Sequence, residues 1–292
     1  MTTSSLEPHH RMDRSTTHYP NLRQASGLVL ICIALGFAVG VPLELLALLL
    51  PEPLRSHALF RSALEMVVYG LTLGLAIRVG LRKKSLALVE RPALKFTRVP
   101  VSILVMVCAL TICMGFIIDP ITALIPTPEW FEQMMGEALR PNLFSFVSVV
   151  LLAPLLEELL FRGIILDGLL KNHSPAKAIA GSAVLFGVIH LNIWQGIAGL
   201  LAGLFLGWVY WKTRSLVPCI LIHATHNLLA FVVTMYAGVE ATGAEVLGMT
   251  SRLALFAGAL GLFTVGVWWL SRRMRTSAEA RVVRDPTEGV LG

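Results

Sequence analysis

Two glutamates and an arginine lie inside an apolar stretch, Ala153-Pro154-Leu155-Leu156-Glu157-Glu158-Leu159-Leu160-Phe161-Arg162-Gly163. An ionisable side chain at the centre of a bilayer costs at least ~2.5–3.5 kcal/mol on insertion scales, so it faces a bundle interior or a wet cavity and marks function. Glu158 and Arg162 are four apart on one helical face, in the acidic-first order that favours pairing. Glu157 is turned ~100° away by the helical period and has no local partner, which makes it the candidate reactive group.

Three more polar side chains are out of place in apolar surroundings. His190 ends Phe186-Gly187-Val188-Ile189-His190, and His223 and Asn227 bracket His223-Ala224-Thr225-His226-Asn227. The ends of each five-residue run share a helical face. A carboxylate and an imidazole can hold one water between them, the carboxylate taking its proton as the water attacks a carbonyl. A histidine and an asparagine amide on another helix can donate to the oxyanion that forms, at ~2.7–4 kcal/mol per donor. These are the parts of a hydrolase for amide bonds. Glu157, His190 and His223 could instead hold zinc with a water in the fourth position, although the H-E-x-x-H spacing is absent.

The elements that must position these groups are membrane spans. The chain has 292 residues, 55% hydrophobic and 14% charged, with a mean hydropathy of +0.74. That composition belongs to a polytopic membrane protein. The net charge of +6 does not call for nucleic acid, because the basic residues fall mostly between apolar runs, where they act as topology signals. Eight spans are expected, at about 25–50, 62–80, 99–118, 144–170, 176–191, 197–211, 216–237 and 253–270, the fifth and sixth short for a ~30 Å hydrocarbon core. Pro42 and Glu44 threaten the outer half of the first. Alternate loops carry 20 of the 24 basic residues on one side, against Arg55, Arg61, Arg140 and Arg252 on the other. By the positive-inside rule both termini are cytoplasmic.

A depth count asks whether the polar groups can meet. With the fourth span running to Leu170, Glu157 is ~20 Å from its inner end and His190 ~21 Å from Ala176. His223 and Asn227, ~10 and ~16 Å from Leu216, need tilt or a later helix start. Pro154 lacks an N–H, which is expected to free the carbonyl of Val150 and permit a kink one turn before Glu157.

Other residues have plainer readings. Glu158 with Arg162 fixes the helix and shields or orients Glu157. His226 points to another face and His173 sits in a loop. Gly199, Gly203 and Gly207 repeat every four residues and suit close helix packing. Ser215 and Thr225 have no nucleophile signature around them. Cys32, Cys108, Cys113 and Cys219 lie in apolar spans without C-x-x-C spacing and read as small buried hydrophobes. The connection 119–142, with Trp130, Phe131, Met134 and Met135 among acidic residues, is either an interfacial amphipathic helix or a loop with aromatic anchors.

The chain resembles the CPBP intramembrane proteases, a family that includes CAAX prenyl endopeptidases and bacteriocin-processing or immunity proteins. The likeness rests on E-E-x-x-x-R as Glu157, Glu158 and Arg162, F-x-x-x-H as Phe186 and His190, and H-x-x-x-N as His223 and Asn227, all in the family's order. The stretch from Gly207 to Pro218 also resembles the segment preceding the third motif, so the likeness covers about 142–237. It implies an all-helical eight-span core, water activation by Glu157 and His190, and an oxyanion hole of His223 and Asn227. The family has also been regarded as metal-dependent, which keeps zinc as an alternative.

The expected organisation is a cytoplasmic tail (1–24), N-terminal transmembrane helices (25–141), a catalytic core (142–237), a last transmembrane helix (238–274) and a C-terminal tail (275–292). The expected function is an intramembrane endopeptidase with no required cofactor, in the plasma (inner) membrane. Its partners would be the lipid bilayer and a membrane-associated protein or peptide, lipidated or bearing a C-terminal sorting tail. Two rivals use the same residues: a non-catalytic immunity or binding protein, and a proton- or metal-coupled transporter, against which the lack of a repeated pair of broken helices counts.

Overall fold

The computed structural model describes residues 18–87, 94–237 and 249–274. The C-terminal tail (275–292), and Arg11, Arg14 and Arg91 among the basic residues, lie outside the described residues. The described residues form helices and no strands. They are α1 (Leu22–Ala47), α2 (Ala58–Ala87), α3 (Val101–Thr122), α4 (Glu129–Ala138), α5 (Leu143–Asn172), α6 (Pro175–Val188), α7 (Ile193–Thr213), α8 (Leu216–Ala237) and α9 (Met249–Arg273), with one further turn of helix at Glu52–Arg55.

Seven of these helices are long and apolar enough to cross a membrane, making this an integral, multi-pass membrane protein. The eighth apolar segment, α6, has 14 residues and reaches only ~21 Å. It ends at Val188, short of the expected Leu191, whereas the expected sixth span lengthens at both ends into α7, of 21 residues. The helix of α1 continues through Pro42, and Glu44 just beyond it takes Arg61 of α2 in an ion pair of 2.7 Å. The connection 119–142 does contain a helix, α4, whose Trp130 and Phe131 rings meet Trp194 at the start of α7 with centroids 5.7 and 4.8 Å apart.

Burial is inverted relative to a water-soluble protein. Leu30 and Phe37 of α1 and Val101 and Val105 of α3 are exposed, while Lys84, Glu157, Glu158, Arg162 and Asp167 are buried. Hydrocarbon accepts the former and excludes the latter. The most enclosed element is α5, in which Leu160, Phe161, Arg162, Ile164, Ile165, Leu166 and Leu169 are fully buried. It packs against α2, α6, α7 and α8, while α1 pairs with α2 and α9 with α3.

Small residues close the α6–α7 seam. A Cβ on Gly207 would stand 3.0 Å from Ile179, one on Gly203 3.0 Å from Ala183, and one on Gly187 2.6 Å from the Gly196 carbonyl. The close packing expected of Gly203 and Gly207 is therefore present, and it faces α6. The N-terminal tail is shorter than expected: residues 22–24 already belong to α1, capped by Asn21. His18 and Pro20 are held by Asn172, whose amide donates to their carbonyls at 2.6 and 3.2 Å.

Candidate active site

The site is built on a helix of uneven register. Within α5, residues Val147–Leu152 and Leu159–Leu166 are wound as π-helix on either side of the α-helical turn Ala153–Glu158. Wider turns of this kind are rare and concentrate at functional sites. Ala153 N–H bonds to the carbonyl of Ser148, five residues back. At Pro154 the missing N–H therefore frees the carbonyl of Val149, not that of Val150 as an α-helical register predicts. That carbonyl is taken by Asn227, whose Nδ2 donates to it at 2.8 Å. The third motif thus satisfies the backbone that the first motif's proline leaves open.

Glu157 and Glu158, adjacent in sequence, have different surroundings. Glu158 is fully buried, and its Oε1 accepts from Arg162 Nη1 at 2.8 Å and from His223 Nδ1 at 3.0 Å. Arg162, also fully buried, reaches the Gly203 carbonyl through Nη2 at 3.4 Å and lies over the Phe186 ring at 4.5 Å. The expected Glu158–Arg162 pair is present, and what it orients is His223. Because a carboxylate only accepts, Nδ1 of His223 carries the hydrogen, and Nε2 is directed elsewhere.

It is directed at Glu157, whose Oε2 lies 3.8 Å away, buried and without a hydrogen-bond partner among the described residues. The other oxygen, Oε1, accepts from the hydroxyl of Tyr69 on α2. Glu157 and Tyr69 line a largely apolar cavity of about 310 Å³, together with Cys32 and Gly36 of α1, Thr72 of α2 and Phe161 of α5. Tyr69 escapes the sequence motifs because it stands 88 positions before Glu157. The available signal was a phenol inside an apolar span, which needs a partner for its O–H.

His190 lies in the turn after α6, not within a span. Its Nδ1 donates to the Phe186 carbonyl at 2.9 Å, which leaves Nε2 as the ring nitrogen without a partner among the described residues. Leu191, next in the chain, takes the left-handed conformation with φ 57°, and Asn192 caps α7 while its amide donates to the His190 carbonyl at 2.9 Å. Strained backbone of this kind persists only where surrounding structure holds it. Gly199 makes room for the imidazole, since a Cβ there would be 3.4 Å from its Cε1. The Phe186 ring stands between the two histidines, its centroid 5.5 Å from His190 and 5.6 Å from His223, edge to face with both. Ile189 and Leu191, the neighbours of His190, line the same cavity as Glu157.

The fold thus joins Glu157, Glu158, Arg162, Phe186, His190, His223 and Asn227 through α5, the end of α6 and α8. His226 lines a different cavity, between α3, α7, α8 and α9, with Asp119 and Arg252. Among the described residues no three His, Cys, Asp or Glu side chains are grouped so as to hold a metal ion. Glu157, His190 and His223 are therefore not preassembled as a zinc shell. The four cysteines are free thiols, and Cys219 is bonded through sulfur to backbone carbonyls of Leu206 and Ser215.

Residues 139–229, about a third of the chain, match the family described as Type II CAAX prenyl endopeptidase Rce1-like. The matched segment holds every motif residue above, but neither Tyr69 nor the α1 wall of the cavity. The match supports the CAAX protease family that the motifs resemble. No curated protein and no solved structure matches the chain.

Proposed function

From a CAAX-protease-family segment set in a multi-pass bundle, we propose that this protein is an intramembrane endopeptidase that cleaves a membrane-associated protein or peptide with water activated by Glu157. The observation that carries the reading is the Oε2 atom of Glu157: buried, without a hydrogen-bond partner among the described residues, 3.8 Å from His223 Nε2 and at the wall of a cavity. An acceptor held in that state is suited to take a proton from a water.

In the proposed reaction a water lies against Glu157 Oε2 and the free Nε2 of His190. Its oxygen attacks the scissile carbonyl carbon while its proton passes to Glu157. The oxyanion receives hydrogen bonds from His223 Nε2–H and from the second N–H of the Asn227 amide, the first being held by Val149. This requires His223 as an imidazolium between two carboxylates, with Nδ1–H kept on Glu158. The intermediate collapses as the C–N bond breaks, and Glu157 returns its proton to the leaving amine. No step needs a metal ion. Substrates would be lipidated CAAX-type chains or proteins with a C-terminal sorting tail, reaching the cavity from the membrane.

The test uses purified protein reconstituted in liposomes. A shared uncleaved precursor in membrane proteomes of a deletion strain and a Glu157→Gln strain supplies the substrate. Glu157→Gln and His190→Ala should each abolish cleavage of it while the protein stays folded. Cleavage that survives either substitution overturns the mechanism, and a wild-type phenotype in the Glu157→Gln strain favours a binding or immunity role. Chelators should leave the rate unchanged, and loss restored by added zinc would favour the zinc alternative.

A further inference from the structure

At the other end of α5 from the kink, Asp167 is 2% exposed and faces an excess of cations. Oδ2 pairs with Lys84 at 2.9 Å and Lys171 at 3.2 Å, and Oδ1 with Lys95 at 3.0 Å and Arg214 at 3.9 Å. The Tyr210 hydroxyl also donates to Oδ1, at 3.4 Å. A carboxylate has about four lone-pair sites, and Lys84, Lys95, Lys171 and Tyr210 occupy that number, so Arg214 stands outside. Among the described residues, four cations against one carboxylate leave the cluster with three uncompensated positive charges.

Lys84 suffices for charge balance. It is as buried as Asp167 and spends a second N–H on the Gly163 carbonyl at 3.1 Å. The side chains of Lys95, Lys171 and Arg214 are instead 38, 33 and 30% exposed, with donors left over among the described residues. They are held on a fixed frame. Arg214 caps α7 in the left-handed conformation, Leu216 N–H donates to the Lys95 carbonyl at 2.8 Å, and Ser215 Oγ donates to the Thr97 carbonyl at 2.7 Å.

Their depth identifies the occupant. Lys84 is in the last turn of α2, Lys171 in the last turn of α5, Arg214 directly after α7, and Lys95, six residues before α3, is held beside them by Leu216. All four therefore stand at one end of spanning helices, at the level of lipid headgroups, where Trp211 also lies in the final turn of α7. Basic pockets at that level bind anionic headgroups. We propose that Lys95, Lys171 and Arg214 form a phosphate-binding site for an anionic phospholipid in the leaflet at this end of the bundle. A free phosphate offers the same oxyanion but no acyl chains for the apolar helix faces beside it. The site lies apart from Glu157, and its test reads lipid binding, independently of the proteolytic reading.

Full-length protein in neutral detergent is titrated with phosphatidylglycerol, phosphatidylcholine or inorganic phosphate, with bound lipid counted by native mass spectrometry and thermal unfolding followed in parallel. Phosphatidylglycerol should bind more tightly and raise the unfolding midpoint more than phosphatidylcholine, and inorganic phosphate should do neither. The triple variant K95Q/K171Q/R214Q should lose about fivefold in phosphatidylglycerol affinity per charge removed, with phosphatidylcholine unaffected, and Arg55→Gln at the opposite end should change nothing. Equal binding of both lipids, or a preference that survives the triple variant, overturns the proposal. Stabilisation by inorganic phosphate equal to that by phosphatidylglycerol overturns the lipid assignment. If the triple variant does not fold, Lys95→Gln and Lys171→Gln are measured singly, each expected to lose about fivefold.

Discussion

The amide of Asn227 donates to the backbone carbonyl of Val149 at 2.8 Å, across the interface between α8 and α5. That carbonyl is open because Pro154 follows it at the π-helical spacing of five. A residue placed in the oxyanion hole by the proposed mechanism therefore also ties the two halves of the site together.

The first prediction separates these roles by stability. Asn227→Ala should cost ~1–3 kcal/mol, the usual penalty for a buried polar group left unpaired. In a Pro154→Ala background the restored N–H can reach Val149 itself, and the cost should shrink by ~1 kcal/mol, a coupling a double-mutant cycle resolves. Strictly additive unfolding free energies would count against the link.

Tyr69 is predicted to position Glu157 without touching substrate. Tyr69→Phe keeps the ring and removes the only hydrogen bond to Oε1 among the described residues. It should lower kcat by ~10-fold or more, a part of the ~10²–10⁴-fold that general-base catalysis contributes, and leave KM nearly unchanged. An unaltered kcat in a folded variant would remove Tyr69 from the machinery.

Arg162 and Glu158 should behave as a unit. Arg162→Ala leaves a fully buried carboxylate with His223 as its remaining donor among the described residues and should cost ~3–5 kcal/mol in unfolding measurements. Glu158→Leu/Arg162→Met should recover much of that stability while remaining inactive, because His223 loses the acceptor that orients Nδ1. Recovered activity in the double variant would assign the pair to packing alone.

The α6–α7 seam is predicted to be intolerant of a single methyl group. The Cβ of Gly187→Ala would meet the Gly196 carbonyl at 2.6 Å, and backbone cannot swing aside as a side chain can. Destabilisation of ~1–3 kcal/mol is expected, with activity lost further because His190 follows three residues later. A thermal melt compared with that of Gly258→Ala, whose Cβ would meet nothing within 4 Å, isolates the clash from glycine's own helix penalty.

Much of this protein was legible in its sequence, for a physical reason. Hydrocarbon tolerates neither unpaired backbone nor stray charge, so apolar runs of span length had to be helices, and Glu157, Glu158, Arg162, His223 and Asn227 had to face inward. The Glu158–Arg162 pair followed from helical spacing, since residues four apart meet whatever surrounds them. Packing between helices decided the rest. Whether Glu158 orients Glu157 or His223, which carbonyl Pro154 exposes, and that Tyr69 reaches Glu157 from 88 positions away depend on local winding and on which helix lies alongside, and neither is encoded in spacing within one segment. His190 shows both contributions: the F-x-x-x-H spacing foretold its contact with Phe186, but the helix ends at Val188, and a strained turn held by Asn192 and a gap left by Gly199 set where the imidazole stands.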